Sequence, residues 1–86
     1  MTRFRFDRAY LRDFADLDPG LTQKEREAID RAMSAIVRNP AVRGRIQSFY
    51  DPERPSWLLR FDPFVVHYCY DEEADEVIFL NLFRRK

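Results

Sequence analysis

The last third of the chain contains three apolar runs of strand length, and they constrain the fold more than any other feature. They cover residues 57–61, 64–70 and 76–83 and are rich in β-branched and aromatic side chains, which favour strands. Residues 62–63 and 71–75 separate them as short polar turns. Because short connections join antiparallel neighbours, this pattern predicts a three-stranded antiparallel meander.

The first part of the chain predicts one strand and one helix. Residues 2–6 alternate between polar and apolar, which is the period of a strand with one apolar face. Asp7 is placed to cap a helix over residues 8–17, and the Asp-Pro-Gly sequence at 18–20 ends it. The apolar face of this helix consists of Tyr10, Phe14 and Leu17.

A second helix is predicted from its two ends. Thr22 and Glu25 have the spacing of a capping box, and Asn39-Pro40 stops the helix because proline excludes helical conformation in the residue before it. Residues 45–49 are predicted to begin another strand, followed by a loop. The apolar stripe of the helix is Ala28, Ile29, Ala32, Met33, Ile36 and Val37.

The order of elements predicts an α+β fold. It consists of an N-terminal strand, a two-helix hairpin and a three-stranded antiparallel meander, with both helices packed on one face of an antiparallel sheet. A chain of 86 residues supports one core, so residues 1–86 are expected to form a single domain. The other face of the sheet is expected to stay open.

Charge and composition narrow the function classes. The formal net charge is zero, so the overall balance indicates neither nucleic acid nor an anionic membrane as a partner, although 13 of the 15 cationic residues are Arg. One cysteine cannot form an internal disulfide, and no Cys/His cluster has metal-ligand spacing. We expect no cofactor or metal and no membrane association. Without a signal-peptide run or membrane span, the expected location is the cytoplasm.

The alternation of side chains along the last three strands predicts which residues line the open face. The alternate set, which is expected to cover the helix side, is Val66, Tyr68, Tyr70, Ile78, Leu80 and Leu82. A register error of one residue would exchange the two sets. The predicted open groove, which is largely apolar, consists of Leu58, Arg60, Val65, His67, Cys69, Phe79, Asn81, Phe83 and Arg85.

Each chemical candidate on this face has a structural alternative. His67 has the pKa range of a general acid or base, but a lone histidine among strand hydrophobics is more often a half-buried structural residue. Arg60 and Arg85 could hold a phosphate. Alternatively, Arg60 could form an ion pair with Asp62 in the turn, and Arg85 could belong to the chain terminus. Cys69 lacks the orienting group of an activated nucleophile and is expected to be a packing residue.

Three segments resemble the RelE/ParE toxin superfamily of bacterial type II toxin-antitoxin modules. They are RFRFDRAYLRDFADL, AIVRNPAVRG and LLRFDPFVVHYCYDEEADEVIFLNLFRR, which together span nearly the whole chain. The resemblance implies that Arg60 and Arg85 match arginines of the family. Leu58 and Val65 stand where members that cut ribosome-bound mRNA commonly have Lys or Arg.

The resemblance implies a cytoplasmic toxin that arrests growth and is neutralised by a cognate antitoxin. Two targets stay open, a ParE-like interaction with DNA gyrase and RelE-like ribosome-dependent mRNA cleavage, so enzyme activity is undecided. A non-catalytic protein-interaction module without toxicity is the alternative. The residues expected for catalysis are Arg60, His67 and Arg85. Those expected to bind a partner are the apolar Leu58, Val65, Phe79 and Phe83, together with Asn81.

Overall fold

A computed structural model describes residues 2–48 and 52–85. Both predicted helices and all three meander strands are confirmed. A three-residue 3₁₀ turn, Asp18–Gly20, separates the helices. The elements are β1 (Arg3–Phe6), α1 (Arg8–Leu17), α2 (Gln23–Arg38), β2 (Ile46–Ser48), β3 (Ser56–Phe61), β4 (Phe64–Asp71) and β5 (Glu76–Arg84).

The helix ends follow from local side-chain chemistry. The Asp7 carboxylate accepts a hydrogen bond from the Ala9 amide at 3.2 Å, which satisfies a free donor in the first turn of α1. Thr22 and Glu25 form the full capping box of α2. Asn39 leaves the helical region, as expected before Pro40. Sequence signals therefore placed both helices correctly.

The strand order is β1-β5-β4-β3-β2, and one pairing differs from the prediction. The pairs among β2, β3, β4 and β5 are antiparallel, but β1 runs parallel to β5. The expectation of an entirely antiparallel sheet is therefore wrong for this pair. The chain leaves β1 through two helices and returns through the meander, so its last strand lies beside its first in the same direction.

The strand predicted at residues 45–49 is present as β2, with residue 49 outside the described range. Neither helix in the described part of the chain is long and apolar enough to cross a bilayer.

The core lies between the sheet and the two helices and is largely aromatic. Phe6 and Tyr10 stack at 5.2 Å between ring centroids, and Phe6 stacks on Phe79 at 5.5 Å. The Tyr68 hydroxyl donates to the Pro40 carbonyl at 2.7 Å and so ties β4 to the end of α2. The buried core cluster is Tyr10, Leu21, Ile29, Ile36, Phe64, Val66, Tyr68, Val77, Phe79 and Leu82.

Because β5 contains a β-bulge, part of the predicted assignment of its side chains to the two faces of the sheet is wrong. His67 pairs with Asn81, but Tyr68 pairs with Phe79, so one extra residue of β5 lies between the two pairs. The bulge lets Phe79 and Leu82, three positions apart, both face the helices. Phe79 is fully buried in the core, and its predicted place on the open face is wrong.

The same bulge explains the neighbouring positions. Ile78 pairs with Cys69 and lies on the face away from the helices, although strict alternation assigned it to the helix side. Beyond the bulge, alternation assigned the faces correctly: Leu82 is core, and Phe83 lies on the other face and is 48% exposed. A regular period of two cannot reveal an inserted residue.

Candidate functional site

The sheet face opposite the helices carries a row of apolar side chains that crosses four strands. The apolar strip, as we name it, consists of Ile46, Leu58, Val65 and Phe83. Ile46 pairs with Leu58, and Val65 pairs with Phe83. Ile46 and Phe83 are 52% and 48% exposed, whereas Leu58 and Val65 are half-buried. An exposed apolar row of this kind is typical of a surface that binds another protein.

A chain of polar side chains lies beside the strip and links three strands to α1. His67 Nε2 is 2.8 Å from Ser56 Oγ, and His67 Nδ1 is 3.1 Å from Asn81 Oδ1. Asn81 Nδ2 donates to the Asp13 carboxylate at 3.3 Å. The same carboxylate oxygen accepts the Leu82 amide at 3.0 Å. This polar network therefore joins β3, β4 and β5 to α1.

The Asp13 carboxylate sets the orientation of the Asn81 amide and, through it, the donor at His67 Nδ1. An ionised carboxylate only accepts, so the Asn81 amide nitrogen must face it and the Asn81 carbonyl oxygen must face His67. The His67 Nδ1 atom therefore carries a proton and donates it to Asn81. In the neutral imidazole, Nε2 is then the acceptor, and the Ser56 hydroxyl donates to it.

This arrangement has the hydrogen-bonding order of a nucleophile, a base and an orienting group. Its burial argues against that use. Ser56 is only 3% exposed and His67 only 6%, so a substrate cannot reach the hydroxyl or the imidazole in this conformation. A fully bonded polar group in an apolar surrounding is instead what a stable interior requires. The network therefore acts as a structural tie between the strands and α1.

The three residues predicted for catalysis have different surroundings in the structure. Arg85 forms an ion pair with Asp62 at 3.0 Å near the β3–β4 connection, and its amide donates to the Pro63 carbonyl. Arg60 is exposed, lies opposite Val65 and has no ion pair within residues 2–48 and 52–85. His67 is buried. The predicted turn pair of Asp62 is present, but its cation is Arg85 rather than Arg60.

The remaining predicted positions on this face divide between the strip and the buried region. Leu58, Val65 and Phe83 belong to the strip, whereas the Asn81 side chain is engaged in the polar network. Cys69 is 4% exposed, and burial raises the pKa of its thiol, which disfavours the reactive thiolate. The predicted packing role of Cys69 is therefore confirmed, and the groove is less open than predicted.

Sequence reasoning missed two members of the network, Asp13 and Ser56. The pairing of His67 with Asn81 could be anticipated because both polar residues were assigned to one face. Nothing in the spacing of Asp13 connects it with Asn81, which is 68 positions away. Ser56 directly precedes a predicted strand, and its position in the sequence gives no sign of a bond to His67. Within the described residues, no group of three or more His, Cys, Asp and Glu side chains could hold a metal ion.

Comparisons with known proteins connect this arrangement to one fold. No family model and no curated protein sequence matches the chain. Among solved structures, the isolated E. coli RelE toxin superposes with a TM-score of 0.75 at 12% identity, over 100% of this chain and 86% of that one. This chain has the RelE fold. The Mycobacterium tuberculosis RelBE2 toxin-antitoxin complex also gives a TM-score of 0.75, at 20% identity and 98% coverage of both chains.

The RelE fold confirms the architecture that the sequence resemblance implied. The strand, helix hairpin and meander occur in the predicted order, and the matched coverage leaves none of these elements outside the shared fold. At 12% and 20% identity the likeness concerns the backbone, and side-chain chemistry has to be argued from this chain's own residues.

Proposed function

We propose that this protein is the toxin of a toxin-antitoxin pair and that it acts by binding a protein target rather than by cutting RNA. The fold supports the first half of the proposal, since both structural neighbours are described as a toxin or as a toxin-antitoxin complex. The second half rests on the chemistry of the sheet face opposite the helices. The apolar strip is the single observation that carries it.

RNA cleavage makes chemical demands that the apolar strip does not meet. Stabilising a phosphorane requires cations around it, and proton transfer requires a reachable acid and base. Ile46, Leu58, Val65 and Phe83 supply no charge, and His67 is buried. Of the two predicted cations, Arg85 is paired with Asp62, and Arg60 lies beside the strip without an ion pair among the described residues. An apolar row bordered by an arginine is better suited to binding another protein than to cleaving RNA.

A partner that neutralises such a toxin has to prevent the strip from reaching its target. We therefore infer that a cognate antitoxin binds this chain and that the growth-arresting surface includes the strip. DNA gyrase is the first target to test, because the sequence resemblance includes the gyrase-directed branch of the superfamily. Cleavage of ribosome-bound mRNA through Arg60, His67 and Arg85 is the competing mechanism, and a fold that has lost toxicity is the third.

The test is induced expression of the chain alone in bacteria, with growth, protein synthesis and plasmid supercoiling measured after induction. The proposal predicts growth arrest and relaxation of supercoiled plasmid before protein synthesis falls. Early loss of translation with cut mRNA would instead support the competing mechanism. Normal growth at high expression of folded protein would overturn both toxin mechanisms.

Two matched variants test the surface itself. Phe83 and Leu11 are both large apolar residues about half exposed, but Leu11 lies on α1 and is not part of the strip. Phe83→Asp is expected to abolish growth arrest, and Leu11→Asp is expected to leave it unchanged. Circular dichroism of both purified variants shows whether each remains folded. Equal toxicity of the two variants would remove the strip from the proposal.

A further inference from the structure

The helix side of the sheet, away from the apolar strip, has a groove of its own. A groove of about 750 Å³ runs between the edge strand β1 and helix α2. Its walls include Phe4 and Phe79 from the sheet and Met33 and Val37 from the helix. Phe4 is 53% exposed, so its ring forms a wall of the groove rather than part of the enclosed core.

The backbone of β1 makes this groove suitable for an extended chain. Arg3 and Asp7 donate their amides toward β5, at 2.9 Å to the Asp75 carbonyl and 2.8 Å to the Phe79 carbonyl. Because backbone groups alternate in direction along a strand, the amide and carbonyl of Phe4 point away from β5. β1 is the last strand in the sheet, so these groups form an unpaired edge among the described residues.

The first and last α2 residues that line the groove have opposite charges, so the two ends of its helix wall differ in charge. Asp30 and Arg38 both line it, and both are exposed residues of α2. Neither forms an ion pair within the described part of the chain, although four other arginines there do. Eight residues of helix correspond to about 12 Å, which equals the span of about four residues of an extended strand.

We propose that this groove binds an extended segment of a partner protein that pairs with the outer edge of β1. The segment has alternating apolar side chains that pack against Phe4 and Val37. It carries a basic residue at the Asp30 end and an acidic residue at the Arg38 end, about four positions apart. Backbone pairing supplies affinity, and the apolar and charged positions supply specificity.

This second interface is independent of the proposed function because it lies on the opposite face of the sheet. A segment in the groove leaves Leu58, Val65 and Phe83 uncovered. The chain can therefore hold one partner at the β1 edge while the apolar strip contacts another. Loss of toxicity in strip variants and loss of segment binding in groove variants are separate measurements.

The probe is a ten-residue blocked peptide with alternating valine and threonine, with one lysine and one glutamate four positions apart. Both charge orders are made, because a strand can add in parallel or antiparallel direction. A control peptide of the same composition has its lysine and glutamate adjacent at one end. Binding is measured by NMR titration of the full chain. At least one order is expected to bind more tightly than the control and to slow hydrogen exchange of the Phe4 amide.

Charge reversal identifies the two ends of the groove. Asp30→Arg and Arg38→Asp are each expected to weaken the tighter peptide about two- to fivefold, the range of exposed ion pairs. The double variant is expected to prefer the peptide with exchanged charges in the same strand direction. Arg31→Asp, an exposed position of α2 that does not line this groove, is the control and should change nothing.

Two steric variants complete the test. Phe4→Ala is expected to weaken binding at least tenfold by removing the exposed ring from the wall. Ser34→Arg places a long side chain in the groove from an exposed helix position and should block it without touching the core. Binding equal to that of the control peptide would overturn the proposal. So would binding that survives Ser34→Arg, or binding without protection of the Phe4 amide.

Discussion

The two faces of the sheet bury their side chains by different physical means. On the helix side, aromatic and aliphatic side chains fill the space under α1 and α2, and the hydrophobic effect supplies the stability. On the other face, Ser56 and His67 are just as deeply buried, but hydrogen bonds hold them. The difference teaches that burial alone does not mark a site. What remains exposed beside the network, the apolar strip, is where binding is expected.

The largest effect is expected from the two phenylalanines of β5, which lie on opposite faces. Phe79→Ala should lower the free energy of unfolding by about 3–5 kcal/mol, because it removes a fully buried ring from the aromatic cluster. Chemical denaturation measures the change. A loss below about 1 kcal/mol would show that the bulge does not direct Phe79 into the core.

A smaller loss is expected from His67→Ala, about 2–3 kcal/mol. The change leaves the Ser56 and Asn81 side chains without the hydrogen-bonding partner that they share, and it opens a small cavity on the sheet face opposite the helices. Urea unfolding of His67→Ala should be compared with that of Leu11→Ala, which alters an exposed position. If His67→Ala is as stable as the original chain, the network is not a structural tie and a functional role for His67 regains support.

Asp13→Ala tests the outer end of the same network and should cost about 1–2 kcal/mol. It removes the carboxylate that accepts from both the Asn81 side chain and the Leu82 amide, but Asp13 and Asn81 are only partly buried, whereas His67 is buried. In a double-mutant cycle, the losses of unfolding free energy in Asp13→Ala and His67→Ala should add up to more than the loss measured for the double variant. Simple additivity would mean that the two residues act independently.

Low pH should weaken the hydrogen bonds and the ion pair that the carboxylates of Glu25 and Asp75 form. The Thr22 backbone amide, followed by Arg84, holds the pKa of Glu25 below its ordinary value. Tyr70 and then Thr2, by donating hydrogen bonds, do the same for Asp75. A lowered folded-state pKa adds stability that is present above the unfolded-state pKa and lost as pH falls through the folded-state value.

Stability should therefore decline as pH drops below the ordinary carboxyl pKa of about 4.5. Thermal unfolding at a series of pH values measures the decline. Glu25→Gln should make the profile flatter, whereas Glu27→Gln, at an exposed position of the same helix, should leave its slope unchanged. Identical slopes for the two variants would contradict the assignment to Glu25.

The smallest effect on stability is expected from Phe83→Ser, less than about 0.5 kcal/mol, because its ring is half exposed. The same variant should nevertheless relieve growth arrest under the proposed function. This combination is the reverse of that expected for Phe79, four positions earlier on the same strand. A large loss of stability in Phe83→Ser would place the ring in the core and remove the distinction between the faces.

The sequence by itself determined the elements and most of their order. Asp7, the Thr22–Glu25 capping box and Asn39-Pro40 act over a few residues, so their effect can be read without the fold. The apolar runs and short turns likewise determined the meander. Alternation alone correctly placed Val66 and Tyr68 in the core and left Val65 on the other face.

Tertiary structure alone decided which side chains work together. The parallel pairing of β1 with β5 and the bulge before Asn81 depend on how distant segments pack, and no local pattern encodes either. The same holds for Asp13, which reaches Asn81 only because α1 packs against β5. Local propensities act between near neighbours, whereas a network or a groove is made by residues that only the completed fold brings together.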